Sequence, residues 1–237
     1  MSEVAIVSDV AAAAAELFLE ATAGAAAARG RAAVALTGGS SAAPLYARLR
    51  GIEKIPWRDL QIFFTDERAV PPDDELSNFA IFQGVLGGRV ASAQVHRLRG
   101  EARDLDEEAR RAAREMRETL GDPPRFDLML LGLGPDGHVL SLFAGVPGSA
   151  ERGDDELVRH VEAPQHIEPR VERLTLIPFL LLTARMAVLQ VAGEKKAPVL
   201  ARALEGPEDL VGCPAQWLRH AVGRVVVVCD EAAASQL

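Results

Sequence analysis

"RAAVALTGGSSAAPLYARL" (Arg31–Leu49) decides how this chain folds. Ala32 to Leu36 is an unbroken apolar run, the pattern of a strand buried on both faces of a parallel sheet. "TGGSS" (Thr37–Ser41) is a turn, and Ala42 to Arg50 reads as a helix. The unit is strand, glycine-rich loop, helix.

The same grammar recurs in both directions. Upstream, the alanine-rich stretch from Asp9 to Arg29 fits an N-terminal helix capped by Ser8 or Asp9. Downstream, "LQIFFT" is a second strand, "DERAVPPDDELSN" a polar loop, "FAIFQGVL" a helix and "VHRLRG" a short β-like piece. "EARDLDEEARRAAREMRETL" predicts a surface helix with acid-to-base pairs at i,i+4, stopped by "GDPP". "RFDLMLLGLG", "RLTLIP" and "MAVLQVAG" are the third, fourth and fifth core strands. "EKKAPVLARAL" is a helix in which Pro198 must lie near the first turn. "GRVVVVCD" is the last strand, and "EAAASQL" reads as a short terminal helix. Strands alternating with helices predict an α/β fold, a mostly parallel Rossmann-like sheet with helices on both faces. No repeat or linker-like stretch divides it, so residues 1–237 are expected to form one domain.

Whole-chain properties narrow the function. The 237 residues are 49% hydrophobic and 25% charged, ordinary for a globular protein. A net charge of −8 argues against nucleic acid, whose phosphates want a basic face, but leaves room for a small phosphorylated ligand. Cys213 and Cys229 show no metal-ligand spacing and read as reduced, buried thiols of a cytoplasmic protein. Glu3 stands where a signal peptide would be basic, and Glu16 and Glu20 interrupt the apolar stretch. Apolar runs such as "LIPFLLL" are too short to span a bilayer, so no membrane association is expected. Only Lys54, Lys195 and Lys196 are lysines, which draws attention to the last two.

Ligands of open α/β sheets bind at the carboxyl ends of the strands, which selects the loops after Thr37, Thr65, Leu131 and Val191. "TGGSS" leads into a helix, and its small residues let backbone N–H groups approach an anion. A plain βα turn capped by Ser40 or Ser41 fits the same letters. "TDER" (Thr65–Arg68) sets two carboxylates and a guanidinium at a strand end. "GEKK" (Gly193–Lys196) places lysine at a helix N-terminus, against the helix dipole, as an anion site would.

"FDLMLLGLGPDGHVLSLFAG" (Phe126–Gly145) contains G-x-G-x-x-G at Gly132, Gly134 and Gly137, the spacing of dinucleotide binding. Only about two helical turns, "VLSLFAG", follow, and "ERGDDELVRHVEAP" supplies no clean apolar strand ending in a ribose-binding acid. The better reading is a tight turn, shaped by Gly134 and Gly137, that presents Asp136 and His138. Histidine moves a proton readily near neutral pH. His96, His160 and His220 lack such a setting, and His166 lies in a Pro-rich loop able to border the site.

"LTGGSSAAPLYARL", "FFTDERAVPPDDELSNFAIF", "FDLMLLGLGPDGHVLSLFAG", "RLTL", "VAGEKKAPVLARAL", "CPAQWL" and "VVVVCDEAAA" stand in the order and spacing of the 6-phosphogluconolactonase family, which the chain resembles from Val34 to Ala234. The related glucosamine-6-phosphate deaminases usually read Asp-Glu-Tyr where this chain has Asp66, Glu67 and Arg68. They carry Asn-Glu-Pro where it has Ser141, Leu142 and Phe143. Val139 and Ala144 stand where Thr and Pro are common in lactonases. A usual Lys-Pro-Pro run is here "APQHIEPRVER", which leaves Arg170 and Arg173 both as candidates, with "RLTL" favouring Arg173.

The resemblance implies the sugar-phosphate isomerase/deaminase-like fold and hydrolysis of 6-phospho-D-glucono-1,5-lactone in the oxidative pentose phosphate pathway. It implies His138 as general base, oriented by Asp136 or Asp66, with Arg68 on the carbonyl side or against substrate. Gly38, Gly39, Ser40, Ser41, Arg173 and Lys196 would hold the phosphate. No cofactor and no metal is implied, and the chain would work as a monomer or small homo-oligomer. A deaminase or isomerase of an aminosugar phosphate, or a non-catalytic sugar-phosphate sensor, is the alternative; a sensor of the transcription-regulator type wants a DNA-binding element that the sequence lacks.

Overall fold

The computed structural model describes residues 2–146, 148, 151–153 and 156–237. Its strands are β1 (Glu3–Ile6), β2 (Ala32–Leu36), β3 (Leu60–Phe64), β4 (Asp66–Arg68), β5 (Val95–His96), β6 (Leu128–Gly132), β7 (Val158–Val161), β8 (Arg173–Leu176), β9 (Met186–Val191) and β10 (Arg224–Cys229). The α-helices are α1 (Val10–Arg29), α2 (Ala42–Arg50), α3 (Asn78–Leu86), α4 (Leu105–Leu120), α5 (Pro178–Thr183) and α6 (Ala197–Glu205).

Seven strands form one parallel sheet in the order β1-β10-β9-β6-β2-β3-β5. Alternation along each strand splits the core in two. Val34, Leu36, Ile62, Phe64, Leu128, Leu130, Met186 and Val188 face α1, α2 and α3. Ala33, Ala35, Phe63, Met129, Leu131, Ala187, Leu189 and Val191 face α4, α5 and α6. Chain order runs outward from β2 through β3 to β5 on one side, and from β6 through β9 to β10 on the other. The switch point is therefore between β2 and β6, and the loops leaving their carboxyl ends open a crevice there.

Local chemistry explains the main helices. Asp9 caps α1, accepting from Ala12 N at 2.9 Å, and Gly30 ends it in the left-handed region. α4 buries the stripe Ala109, Ala112, Ala113 and Met116 and is capped by Asp104. Its ion pairs differ from expectation: Arg111 reaches back to Glu108 and forward to Glu115, because Glu108 is buried and also accepts from Arg99 N. α6 begins at Ala197, so Pro198 lies in its first turn as required.

Other expectations are corrected. "RLTLIP" forms β8, which joins no core strand; it pairs antiparallel with β4 and β7 in a second, three-stranded sheet. Leu174, Leu176 and Val158 of that sheet pack into the same cluster as the main strands. "VLSLFAG" and "EAAASQL" form turns, not helices. α1 is long and apolar enough to cross a bilayer by length and composition, contrary to expectation; Ala14, Ala15, Phe18, Thr22 and Ala25 bury its inner face against the sheet.

Candidate active site

A pocket of about 660 Å³ opens at the switch point. All four loops selected from the sequence border it: Thr37–Ser41, Asp66 with Arg68, Gly132–Pro135 with His138, and Val191 with Ala192 and Lys196. β6 ends at Gly132, and the chain then folds back on itself: Gly134 N donates to His138 O at 2.8 Å, and Gly137 N to Gly134 O at 3.2 Å. This closed turn, with no helix after it, is why the glycine spacing makes no dinucleotide cradle. The strand that does form further on, β7, is antiparallel and belongs to the small sheet; Asp154 and Asp155 of that stretch lie outside the described residues.

The two glycines have different tasks. A Cβ on Gly134 would lie 2.0 Å from His138 Nδ1, so only glycine lets the imidazole lie against the strand end. Gly137 has φ of +96° and sits against Cys213, while its carbonyl accepts from Ala215 N at 2.8 Å. The "CPAQW" segment thus buttresses the turn from below, a function invisible in its letters.

His138 Nδ1 meets Asp136 Oδ1 at 2.6 Å, with the two side chains 18% and 14% exposed. Asp136 also accepts from the backbone N–H of His138 and Ala144, and its Oδ2 lies 3.2 Å from His166 Nε2. Burial alone would raise the Asp136 carboxyl. The hydrogen bond and charge of His138, with the two backbone donors, outweigh it and hold the group well below the usual carboxylate range. A carboxylate on Nδ1 fixes the proton there and leaves Nε2 as the nitrogen with a free lone pair. Phe143 stands edge-on to the imidazole with centroids 5.0 Å apart.

Asp66 does not touch His138. Its Oδ2 accepts from Ser141 Oγ at 2.7 Å, and its Oδ1 faces Thr65 Oγ1 and Asn78 Nδ2. Of the two carboxylates, Asp136 is the one in contact with the imidazole. Glu67 points away from the pocket and accepts from Arg68 N, Ser77 Oγ, Asn78 N and Phe79 N, capping α3; burial pushes its carboxyl up against these donors.

Cations converge from three elements. β4 and β8 place Arg68 directly opposite Arg173, and like charges in cross-strand register are unfavourable without an anion between them. Arg173 is 3% exposed and makes no ion pair among the described residues; its guanidinium donates to the carbonyls of Val171 and Pro169. Burial and the neighbouring Arg68 lower it to about 10. Arg68 donates to Leu76 O, and its buried Nε has no partner. Arg170 is exposed and pairs with Glu168, so of the two candidate arginines Arg173 lines the pocket. Lys196 turns inward, donating to Leu133 O at 2.6 Å, whereas Lys195 is exposed; burial lowers the Lys196 ammonium, opposed by the charge of Asp136. Gly38, Gly39, Ser40 and Ser41 line the same space, and Ser41, although at the N-cap of α2, makes no capping bond with its side chain.

The sequence reading passed over Asn78, Gln190, Ser141 and Phe143, which also line the pocket, and left His166 at its border, where it stands. Asn78 Oδ1 and Gln190 Nε2, like Arg68 Nε, are buried without partners among the described residues. His96, His160 and His220 lie elsewhere, on Glu115, Asp106 and Glu208. Cys213 and Cys229 are buried and free, and no cluster able to hold a metal occurs among the described residues.

Residues 7–227 match the model of the glucosamine-6-phosphate isomerase/6-phosphogluconolactonase family. A 6-phosphogluconolactonase of Mycobacterium tuberculosis is 36% identical over 223 residues, covering 89% of this chain and 87% of its own. The solved 6-phosphogluconolactonase of Trypanosoma brucei superposes with a TM-score of 0.87 at 26% identity, over 100% of this chain and 99% of its own. A monomeric glucosamine-6-phosphate deaminase superposes at 0.81 with 21% identity over the full length of both chains, so the fold alone does not separate the two reactions. The chain belongs to this family.

Proposed function

We propose that this member of the glucosamine-6-phosphate isomerase/6-phosphogluconolactonase family is a lactone hydrolase acting on 6-phospho-D-glucono-1,5-lactone, in the oxidative pentose phosphate pathway. The observation that carries the reading is the pairing of Asp136 with His138 at the edge of a pocket whose other walls bring Arg68, Arg173 and Lys196 together with no carboxylate bound to Arg173. A base on one side and unneutralised cations on the other suit an ester carbonyl tethered to an anion.

In this reading His138 Nε2 takes a proton from water as the oxygen attacks the lactone carbonyl. The tetrahedral oxyanion collapses by breaking the bond to the ring oxygen. His138 returns the proton to that oxygen, giving the open-chain hydroxyl and a carboxylic acid, which then ionises to its carboxylate and releases one proton to solvent. A positioned general base contributes about 10²–10⁴-fold. Asp136 remains ionised throughout and keeps the tautomer. Arg68 faces the developing negative charge or the substrate's own. Gly38, Gly39, Ser40, Ser41, Arg173 and Lys196 hold the phosphate by charge-assisted bonds. Asp66 acts by fixing Ser141 and Asn78. The residues 1–237 work as one domain without cofactor or metal, as a monomer or small homo-oligomer in the cytoplasm.

Freshly generated phospholactone, followed by proton release, tests the reading. Wild type must outpace spontaneous hydrolysis, and His138→Ala must lose that rate while remaining folded. Ammonia from glucosamine 6-phosphate, with no effect on the lactone, would instead establish the deaminase.

A further inference from the structure

Gln190 is out of place for a strand in the middle of a parallel sheet. β9 reads Met-Ala-Val-Leu-Gln-Val and is buried along its whole length. Gln190 is 4% exposed, yet its Nε2 has no hydrogen-bond partner among the described residues. A buried amide left unpaired is destabilising, whereas an apolar residue of similar shape carries no such penalty there. Such a group calls for a partner from outside the chain.

Its position says what kind. Alternation carries Gln190 onto the face of Met186 and Val188, the side of α1 and α2. In register beside it on β6 stands Gly132, which has no side chain. A Cβ at Gly132 would meet Ser41 Oγ at 3.3 Å and Thr37 Oγ1 at 3.9 Å, so the two hydroxyls lie over that bare spot. Lys196 Nζ is bound to the carbonyl of Leu133, the next residue. Four donors from three segments thus surround the ground beside Gly132, and all of them line the pocket.

We propose that Gln190 is a phosphate-binding residue: its Nε2–H donates to an oxygen of a phosphoryl group seated beside the Thr37–Ser41 loop. The inference rests on the reading of the pocket as a sugar-phosphate site, and it adds a neutral donor to the cations there. Being uncharged, Gln190 contributes direction rather than attraction. It picks out a tetrahedral oxyanion placed on the α1 side of the sheet, away from His138.

The test uses the full chain, with inorganic phosphate as the probe in calorimetric titration. Gln190→Met keeps length and volume but lacks the donor. Affinity for phosphate should fall about 10-fold or more, the loss expected when a hydrogen bond to a charged group is removed. In phosphate-free buffer the variant should melt at or above the wild-type temperature, because an unsatisfied buried amide is gone. In turnover, KM for the phosphorylated lactone should rise by the same factor with kcat kept, and plain gluconolactone should show no change. Gln190→Leu repeats each measurement should the first variant express poorly. Phosphate affinity within twofold of wild type in either variant would overturn the proposal. So would a melting temperature lowered by several degrees without phosphate, which would mean that the amide has a structural partner. Phosphate titration separates this from the wider reading: a wild-type protein that binds phosphate through Gln190 but leaves the lactone untouched refutes the lactonase and keeps the residue's role.

Discussion

Asp136→Asn changes one oxygen for one nitrogen and should cost the enzyme most of its rate. The carboxylate sits 2.6 Å from His138 Nδ1 and accepts two backbone N–H groups. An asparagine keeps one acceptor. If its oxygen serves the backbone, its amide N–H faces Nδ1 and imposes the opposite tautomer, with the proton on Nε2 where the water must be deprotonated. If its oxygen serves Nδ1, a charge-assisted bond becomes a neutral one and the imidazolium loses its counter-charge. The second case forfeits about 1.5–3 kcal/mol, roughly 10- to 150-fold; the first forfeits the base itself, about 10²–10⁴-fold. The expected result is a kcat lower by about 10–10⁴-fold, with KM within about threefold of wild type. The assay is proton release from fresh phospholactone, corrected for spontaneous hydrolysis, with circular dichroism to verify folding. A folded Asp136→Asn protein retaining more than a third of wild-type kcat would refute the mechanism. The acid limb gives an independent check. A carboxyl held low in the folded state stabilises it fully above its ordinary value of about 4, and that stability is lost as the pH falls further. The difference in unfolding free energy between wild type and variant should therefore be constant above about pH 5 and shrink steadily as the pH falls below about 4.

Three other substitutions probe separate features. Arg173→Met should raise the melting temperature of the free protein, because a buried guanidinium facing Arg68 is removed, and raise KM for the phosphorylated lactone by about 10-fold or more; a lower melting temperature with unchanged KM would show that Arg173 is structural. Gly134→Ala sets a Cβ 2.0 Å from the present position of His138 Nδ1, so the ring must move and kcat should fall about 100-fold with the fold retained; full activity would show that the turn does not position the base. Asp66→Asn disturbs Ser141, Thr65 and Asn78 and should cost about 1–3 kcal/mol, a drop of several degrees by thermal melting, while the pH–rate profile keeps its shape. A displaced profile would mean that Asp66 acts on the base after all.

What the sequence could say followed from the range over which each signal acts. Ala32–Leu36, Leu60–Phe64, Leu128–Gly132 and Met186–Val191 are apolar on both faces within themselves, so each strand announced its place in a parallel sheet. The capping of α1 by Asp9 and the stripe of α4 are equally local. From strand ends alone the four site loops followed, because the carboxyl edge of such a sheet is where ligands go. Asp136 and His138, two residues apart on a glycine-bordered turn, were legible for the same reason.

Tertiary structure decided whatever depends on a distant partner. β4 is three charged residues that read as loop; they form a strand because β8 pairs with them and because Glu67 caps α3. Only that pairing sets Arg68 against Arg173 and separates Arg173 from the exposed Arg170. β1 and β7 escaped notice because edge strands of four residues carry little apolar pattern of their own. Asp66 and Asp136 were equivalent as letters until the fold gave one to Ser141 and the other to His138. Gln190 looked like one polar residue in an apolar run until the sheet set it beside Gly132 with no partner for its Nε2 among the described residues. Sequence pattern specifies which residues are buried and where the chain turns. Which buried groups meet, and which are left waiting for a ligand, is settled only when strands far apart in sequence are laid side by side.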